Sequence, residues 1–91
     1  MVIETKKVNT CIENLNSSLG KRNTRLVHKY TSQLQELLDN LLDACVDAEL
    51  DDSINETDLW MVEAHRVDKA GQSCLVKGNE YLLDYEKIEE S

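Results

Sequence analysis

The chain has 91 residues, enough for one small domain, and a domain of that size buries only about 60 to 65% of its unfolded surface, so an isolated fold is marginal. It contains no proline, no phenylalanine and three glycines, which suits a few long helices with nothing to break them. The net charge of −8 is split between a balance of +4 over residues 1–35 and −12 over residues 36–91; the acidic part repels a phosphate backbone and argues against nucleic-acid binding by the main body.

The first predicted helix covers about residues 3–19, where Val8, Ile12, Leu15 and Leu19 recur at spacings of four and three. Gly20 follows in the place where a left-handed cap is favoured. Asn14, Asn16, Ser17 and Ser18 weaken the last turn. The opening Met-Val-Ile-Glu-Thr-Lys-Lys lacks the apolar core of a signal peptide, and no apolar run reaches the roughly eighteen residues of a membrane span. A soluble protein inside the cell is expected.

Residues 21–29 gather Lys21, Arg22, Arg25, His28 and Lys29. The patch reads as a solvated connector opening the next helix, with an anionic docking patch as the competing reading. Cations at a helix start oppose its dipole and favour an acidic neighbour.

The second helix, predicted over residues 24–50, is strongly amphipathic. Val27, Tyr30, Leu34, Leu37, Leu41, Ala44 and Ala48 keep the three–four alternation, and Leu38, Leu42, Cys45 and Val46 widen the stripe. A stripe that broad is contacted from more than one side, as in a bundle of three or four helices. Glu36, Asp39, Asp43 and Asp47 occupy the opposite, solvated face.

An acidic turn follows over residues 49–57, with Ser53 and Glu56 spaced as a capping box and Asn55 and Asp58 offering a second cap. The segment from Asp47 to Asp58 faintly echoes a calcium loop, but Asp52 replaces the glycine such a loop needs and Asp58 is shorter than the usual glutamate. Helix caps account for the same residues without a cation.

The third helix is predicted over about residues 55–88. Trp60, Ala64, Val67, Gly71, Cys74, Gly78, Tyr81, Tyr85 and Ile88 form an uninterrupted seam, the pattern of a long helix packed lengthwise on others. Gly71 and Gly78 suggest a partner backbone in close approach. Met61, Val62, Leu75, Val76, Leu82 and Leu83 give this helix a second apolar side, more apolar surface than one strong and one short companion helix can cover. The fold expected is therefore all-α: two long antiparallel helices and a shorter N-terminal one, a single domain over 1–91, completed by a partner chain. The predicted partner interface comprises Trp60, Ala64, Val67, Gly71, Cys74, Leu75, Gly78, Tyr81, Leu82 and Tyr85 on the third helix with Leu34, Leu38 and Leu41 on the second.

No catalytic constellation is legible. His28 and His65 are far apart, the three cysteines Cys11, Cys45 and Cys74 have no metal-ligand spacing, and the paired acids sit on solvent-facing positions. The cysteines read as small buried hydrophobes in a reducing compartment. No enzyme, cofactor, metal or small-molecule ligand is expected.

From Tyr30 to Leu83, about 60% of the chain, the sequence resembles the Mediator subunit 22 (surfeit locus protein 5) family. Two segments carry the resemblance: Leu34-Gln-Glu-Leu-Leu-Asp-Asn-Leu-Leu-Asp-Ala-Cys45, and, after an acidic linker, Glu63-Ala-His-Arg-Val-Asp-Lys-Ala-Gly-Gln-Ser-Cys-Leu-Val-Lys77. Ala64, Val67, Ala70, Gly71, Ser73 and Leu75 are the matching positions in the second. The family usually continues into a further segment past the level of Ile88, so the resemblance implies a truncated or divergent member. The resemblance implies a nuclear, non-enzymatic subunit that pairs with Mediator subunit 11 in a four-helix bundle and supports RNA polymerase II transcription. The competing expectation is a stand-alone acidic three-helix adaptor or inhibitor that binds a basic protein; self-association is a third arrangement of the same surfaces.

Overall fold

The structure, a computed structural model, describes the backbone of residues 5–50 and 54–90 and the side chains of residues 5–47 and 61–88. It holds three helices: α1 (Thr5–Gly20), α2 (Thr24–Leu50) and α3 (Ile54–Glu90). They pack against one another in every pairwise combination, giving an all-α bundle that runs up, down and up. The side chains of Trp60 and of the acidic turn, including the capping-box candidates and all of the calcium-loop candidates but the exposed Asp47, lie outside the described residues.

The turn between α1 and α2 differs from the one expected at Gly20. The helix continues through Gly20, which keeps a negative φ, and the left-handed residue is Arg22 at φ 54°. Asn23 N–H donates to the Ser18 carbonyl at 3.1 Å and Arg22 N–H to that of Leu19 at 3.1 Å, the hydrogen-bond pair of a Schellman closure. The physical reason for the shift is Asn23 itself. Besides closing α1 with its backbone, it opens α2 with its side chain, accepting the Leu26 N–H at 3.2 Å as an N-cap does. Placing the cap at Asn23 fixes the left-handed residue one position earlier, whatever the chemistry found there.

Register follows from a few close contacts. A Cβ on Gly71 would lie 2.9 Å from Leu38 Cδ2, and one on Gly78 would lie 2.9 Å from Thr31 Oγ1, so α2 and α3 run antiparallel with backbones drawn together at both glycines. The Cys11 thiol lies 3.5 Å from the Tyr30 carbonyl oxygen, and the Cys74 thiol 3.7 Å from that of Ile12. These contacts place α1 in the furrow between the other two. Leu15, Val27, Leu34, Leu38 and Val67 are completely buried at the centre. Near the other end the Thr24 and Tyr81 hydroxyls meet at 3.3 Å.

The helices differ greatly in length, at 16, 27 and 37 residues, or about 24, 40 and 55 Å at 1.5 Å per residue. The longest dimension of the molecule, 55 Å, is therefore α3 itself. Given its contacts, α1 begins near the level of Glu36 and Val67. Beyond that level α2 and α3 continue as a two-helix arm, with no third helix beside it among the described residues.

Candidate functional site

The predicted interface residues separate by position. Ala64, Val67, Gly71, Cys74, Leu75, Gly78 and Leu82 on α3, with Leu34, Leu38 and Leu41 on α2, are buried among the chain's own helices. Tyr81 is half-buried against the same core, and Tyr85 is exposed. The docking groove expected at Gly71 and Gly78 is corrected by this packing: the close neighbours at the two glycines are Leu38, Thr31 and Leu15. Leu75 and Leu82, from the supposed second side of α3, join the core as well. From Ala64 to Gly78 the chain covers its seam from within.

Apolar surface remains, but elsewhere. Leu42, Val46, Met61, Val62, Val76, Leu83, Tyr85 and Ile88 are all exposed. Tyr85 and Ile88 stand where α3 outruns the start of α2. Leu42, Val46 and Met61 lie on the arm that α1 does not reach. Val62, Val76 and Leu83, spaced in sevens or fourteens, sit on the far side of α3 from the seam.

The arm holds a cleft of about 160 Å³ between α2 and α3, lined by Leu41, Leu42, Cys45, Met61, Ala64, His65 and Asp68. A cleft that size admits one or two side chains; drug-sized ligands and cofactors fill about 300–1,000 Å³. A second depression, about 440 Å³, lies between His28, Thr31, Ser32 and Gln35 on α2 and Asn79 and Leu82 on α3. The two belong to one groove. Met61, Asp68, Leu75 and Leu82 recur every seven residues along α3, and His28, Gln35 and Leu42 do so along α2, so each row stays on one side of its helix. Both depressions are lined by members of both rows.

Cys45, His65 and Asp68 share the cleft and are residue types from which metal sites and catalytic triads are built. No group of three such side chains among the described residues is placed to hold a metal ion. Asp68 Oδ1 is closed off from solvent and has no hydrogen-bond partner, so that oxygen does not orient His65. Burial raises the Cys11 and Cys74 thiols above the ordinary thiol value, which keeps them protonated and poor as nucleophiles at neutral pH. Lys77 partly opposes the shift at Cys74, and the nearby Cys74 adds to it at Cys11. On the solvent side Arg66 donates to Glu63 at 2.6 and 3.1 Å, which lowers the Glu63 carboxyl and raises the guanidinium. What the arrangement offers chemically is apolar contact and negative charge.

The fold defines the chain as a small all-helical bundle with an open two-helix arm. No family model, curated protein or solved structure matches it. Among the described residues no helix is long and apolar enough to cross a membrane.

The row that carries the groove was not singled out from sequence. Its signal was available: Asp68 interrupts an otherwise apolar heptad row of Met61, Leu75 and Leu82, a charged side chain where the period calls for a buried one.

Proposed function

We propose that this chain is a non-enzymatic helical subunit of a multiprotein assembly, contributing its α2–α3 arm to a bundle completed by a helix of another protein. The observation that carries the reading is the open side of the α2–α3 pair: α1 packs in one furrow, with Cys11 at Tyr30 and Cys74 at Ile12, and on the other side Leu42 and Val46 are left 46% and 55% exposed beside Met61. Exposed apolar clusters on a small soluble domain mark contact surfaces. The resemblance to Mediator subunit 22 supplies one specific case, a nuclear subunit paired with Mediator subunit 11 in support of RNA polymerase II transcription. Purifying the tagged chain from native extract tests both levels. A stoichiometric helical partner supports the subunit reading, and recovery of Mediator head subunits supports the specific case. A chain that emerges alone and sediments as a folded monomer overturns the subunit reading.

The closed core favours a second reading, a self-contained acidic adaptor or inhibitor. Five side chains are completely buried without help from another chain, so a folded monomer engaging a basic protein transiently is consistent with the packing. The two readings part on stoichiometry: an adaptor exchanges from its target, and a subunit co-purifies with it.

A further inference from the structure

We propose that the α2–α3 groove on the arm receives a basic amphipathic helix from another protein, its apolar side seated on Leu42 and Met61 and a lysine or arginine reaching Asp68. This rests on the reading of the chain as a helical interaction module and names the chemistry of the occupant.

Three observations converge on that occupant. The groove is bounded by two long antiparallel helices whose apolar stripes are incompletely covered, the setting in which a further helix packs lengthwise. Leu42 from α2 and Met61 from α3 both line the cleft and give such a helix an apolar floor.

The second observation is Asp68. An ionised carboxylate only accepts hydrogen bonds, and a buried polar oxygen without a donor is an exception that calls for an explanation. Asp68 Oδ1 is such an oxygen, and its side chain lines the cleft. The side chain as a whole is only part-buried, so a lysine or arginine entering with a docked helix approaches the carboxylate from the cleft and offsets its charge.

Charge is the third. Residues 36–70 carry eleven acids against Arg66 and Lys69 alone, and Arg66 already bonds Glu63. The arm therefore attracts a basic helix and repels an acidic one. The same excess counts against a second copy of this chain, which would bring its own eleven acids to the contact.

The test is a titration of the purified full-length chain with a fluorescent peptide of about three heptads, leucine at the a and d positions and lysine and alanine elsewhere. A counterpart with glutamate for every lysine is the control. Binding of the lysine peptide alone is expected, weakened by salt, lowered about tenfold by Asp68→Asn and lost in Leu42→Asp. Val62→Asp, on the far side of α3, should leave it unchanged. Leu42 and Val62 are exposed enough that all three variants should keep their helical circular dichroism.

Equal binding of both peptides, or wild-type affinity in Asp68→Asn, overturns the proposal. So does sedimentation as a dimer that Leu42→Asp dissociates, which would give the groove to a second copy. A natural stoichiometric partner that is retained by both groove variants also overturns it while leaving the subunit reading intact. That broader reading fails on a different result, the absence of any such partner.

Discussion

The Thr31 hydroxyl oxygen lies 2.9 Å from the point that a Cβ on Gly78 would occupy. It cannot readily swing away, because Thr31 is buried and its hydroxyl donates to the Val27 carbonyl at 2.6 Å. Leu15 closes the other side, its methyls 3.5 Å from the same point. At Gly71 the nearest atoms are instead the two methyls of Leu38, at 2.9 and 3.1 Å, the end of a more adaptable side chain.

Alanine should therefore act differently at the two glycines. Both substitutions gain about 1 kcal/mol of helix propensity, and both face an overpacking cost of about 1–3 kcal/mol. At Gly78 the fixed hydroxyl puts the cost at the upper end, so Gly78→Ala should destabilise by about 1–2 kcal/mol net. Gly71→Ala should lie within about 1 kcal/mol of wild type. Urea midpoints at constant slope measure both. Adding Thr31→Ala should restore much of the loss in Gly78→Ala, whereas additive effects in that double-mutant cycle would separate the two residues energetically.

The turn offers a stabilising change. Arg22 holds φ 54°, a conformation that costs a residue with a Cβ about 1–2 kcal/mol. Against that saving, glycine brings extra freedom to the unfolded chain. Arg22→Gly should stabilise by about 0.5–1 kcal/mol, read as a higher melting temperature; a lower one would mean that the Schellman geometry does not set the balance at this turn.

Asn23 works on both helices, and its two functions can be separated. Its N–H closes α1 at Ser18, and any residue but proline keeps that bond. Its Oδ1 caps α2 at Leu26, and alanine removes it. Asn23→Ala should cost about 1 kcal/mol, and Asn23→Asp or Asn23→Ser should retain most of the stability. Equal loss in all three would mean that the side-chain cap contributes little.

These packing details show where sequence reasoning carried and where it stopped. Heptad spacing was enough to place three helices and to put Ala64, Val67, Cys74, Leu34, Leu38 and Leu41 on the inward stripes, because periodicity reports which face of a helix is apolar. It does not report what covers that face. Gly71 and Gly78 look alike from sequence whether a foreign backbone or Leu38 and Thr31 stands opposite. Gly20 misled for a related reason: a glycine beside a helix end is the commonest left-handed cap, but the cap position was fixed by Asn23 opening the next helix. The groove was hidden more deeply. Its existence depends on which of the two furrows between α2 and α3 is taken by α1, which is a fact about packing between helices and has no signature within any one of them.

The two buried thiols make stability fall in alkali, and the sign can be worked out. Burial raises Cys11 and Cys74 above their ordinary value in the folded chain, while in the unfolded chain they titrate near it, at about 8.5. Below that value both states hold the thiol proton and the stabilisation is fully present. As pH rises, the unfolded chain releases its protons first, so the folded state binds more of them and the free energy of unfolding falls. The loss should develop above about pH 8.5 and run through the raised folded values. Melting temperatures between pH 8 and pH 10 measure it, and the Cys11→Ala/Cys74→Ala double variant isolates it from tyrosines and lysines that titrate in the same range. The variant should be less stable at neutral pH and show a shallower alkaline decline; an identical slope would mean that the thiols do not contribute. Alkylation gives an independent reading. At pH 8 Cys45, which is only half-buried, should react first with iodoacetamide, and Cys11 and Cys74, at 5% and 4% exposure, should react only as fast as the bundle opens.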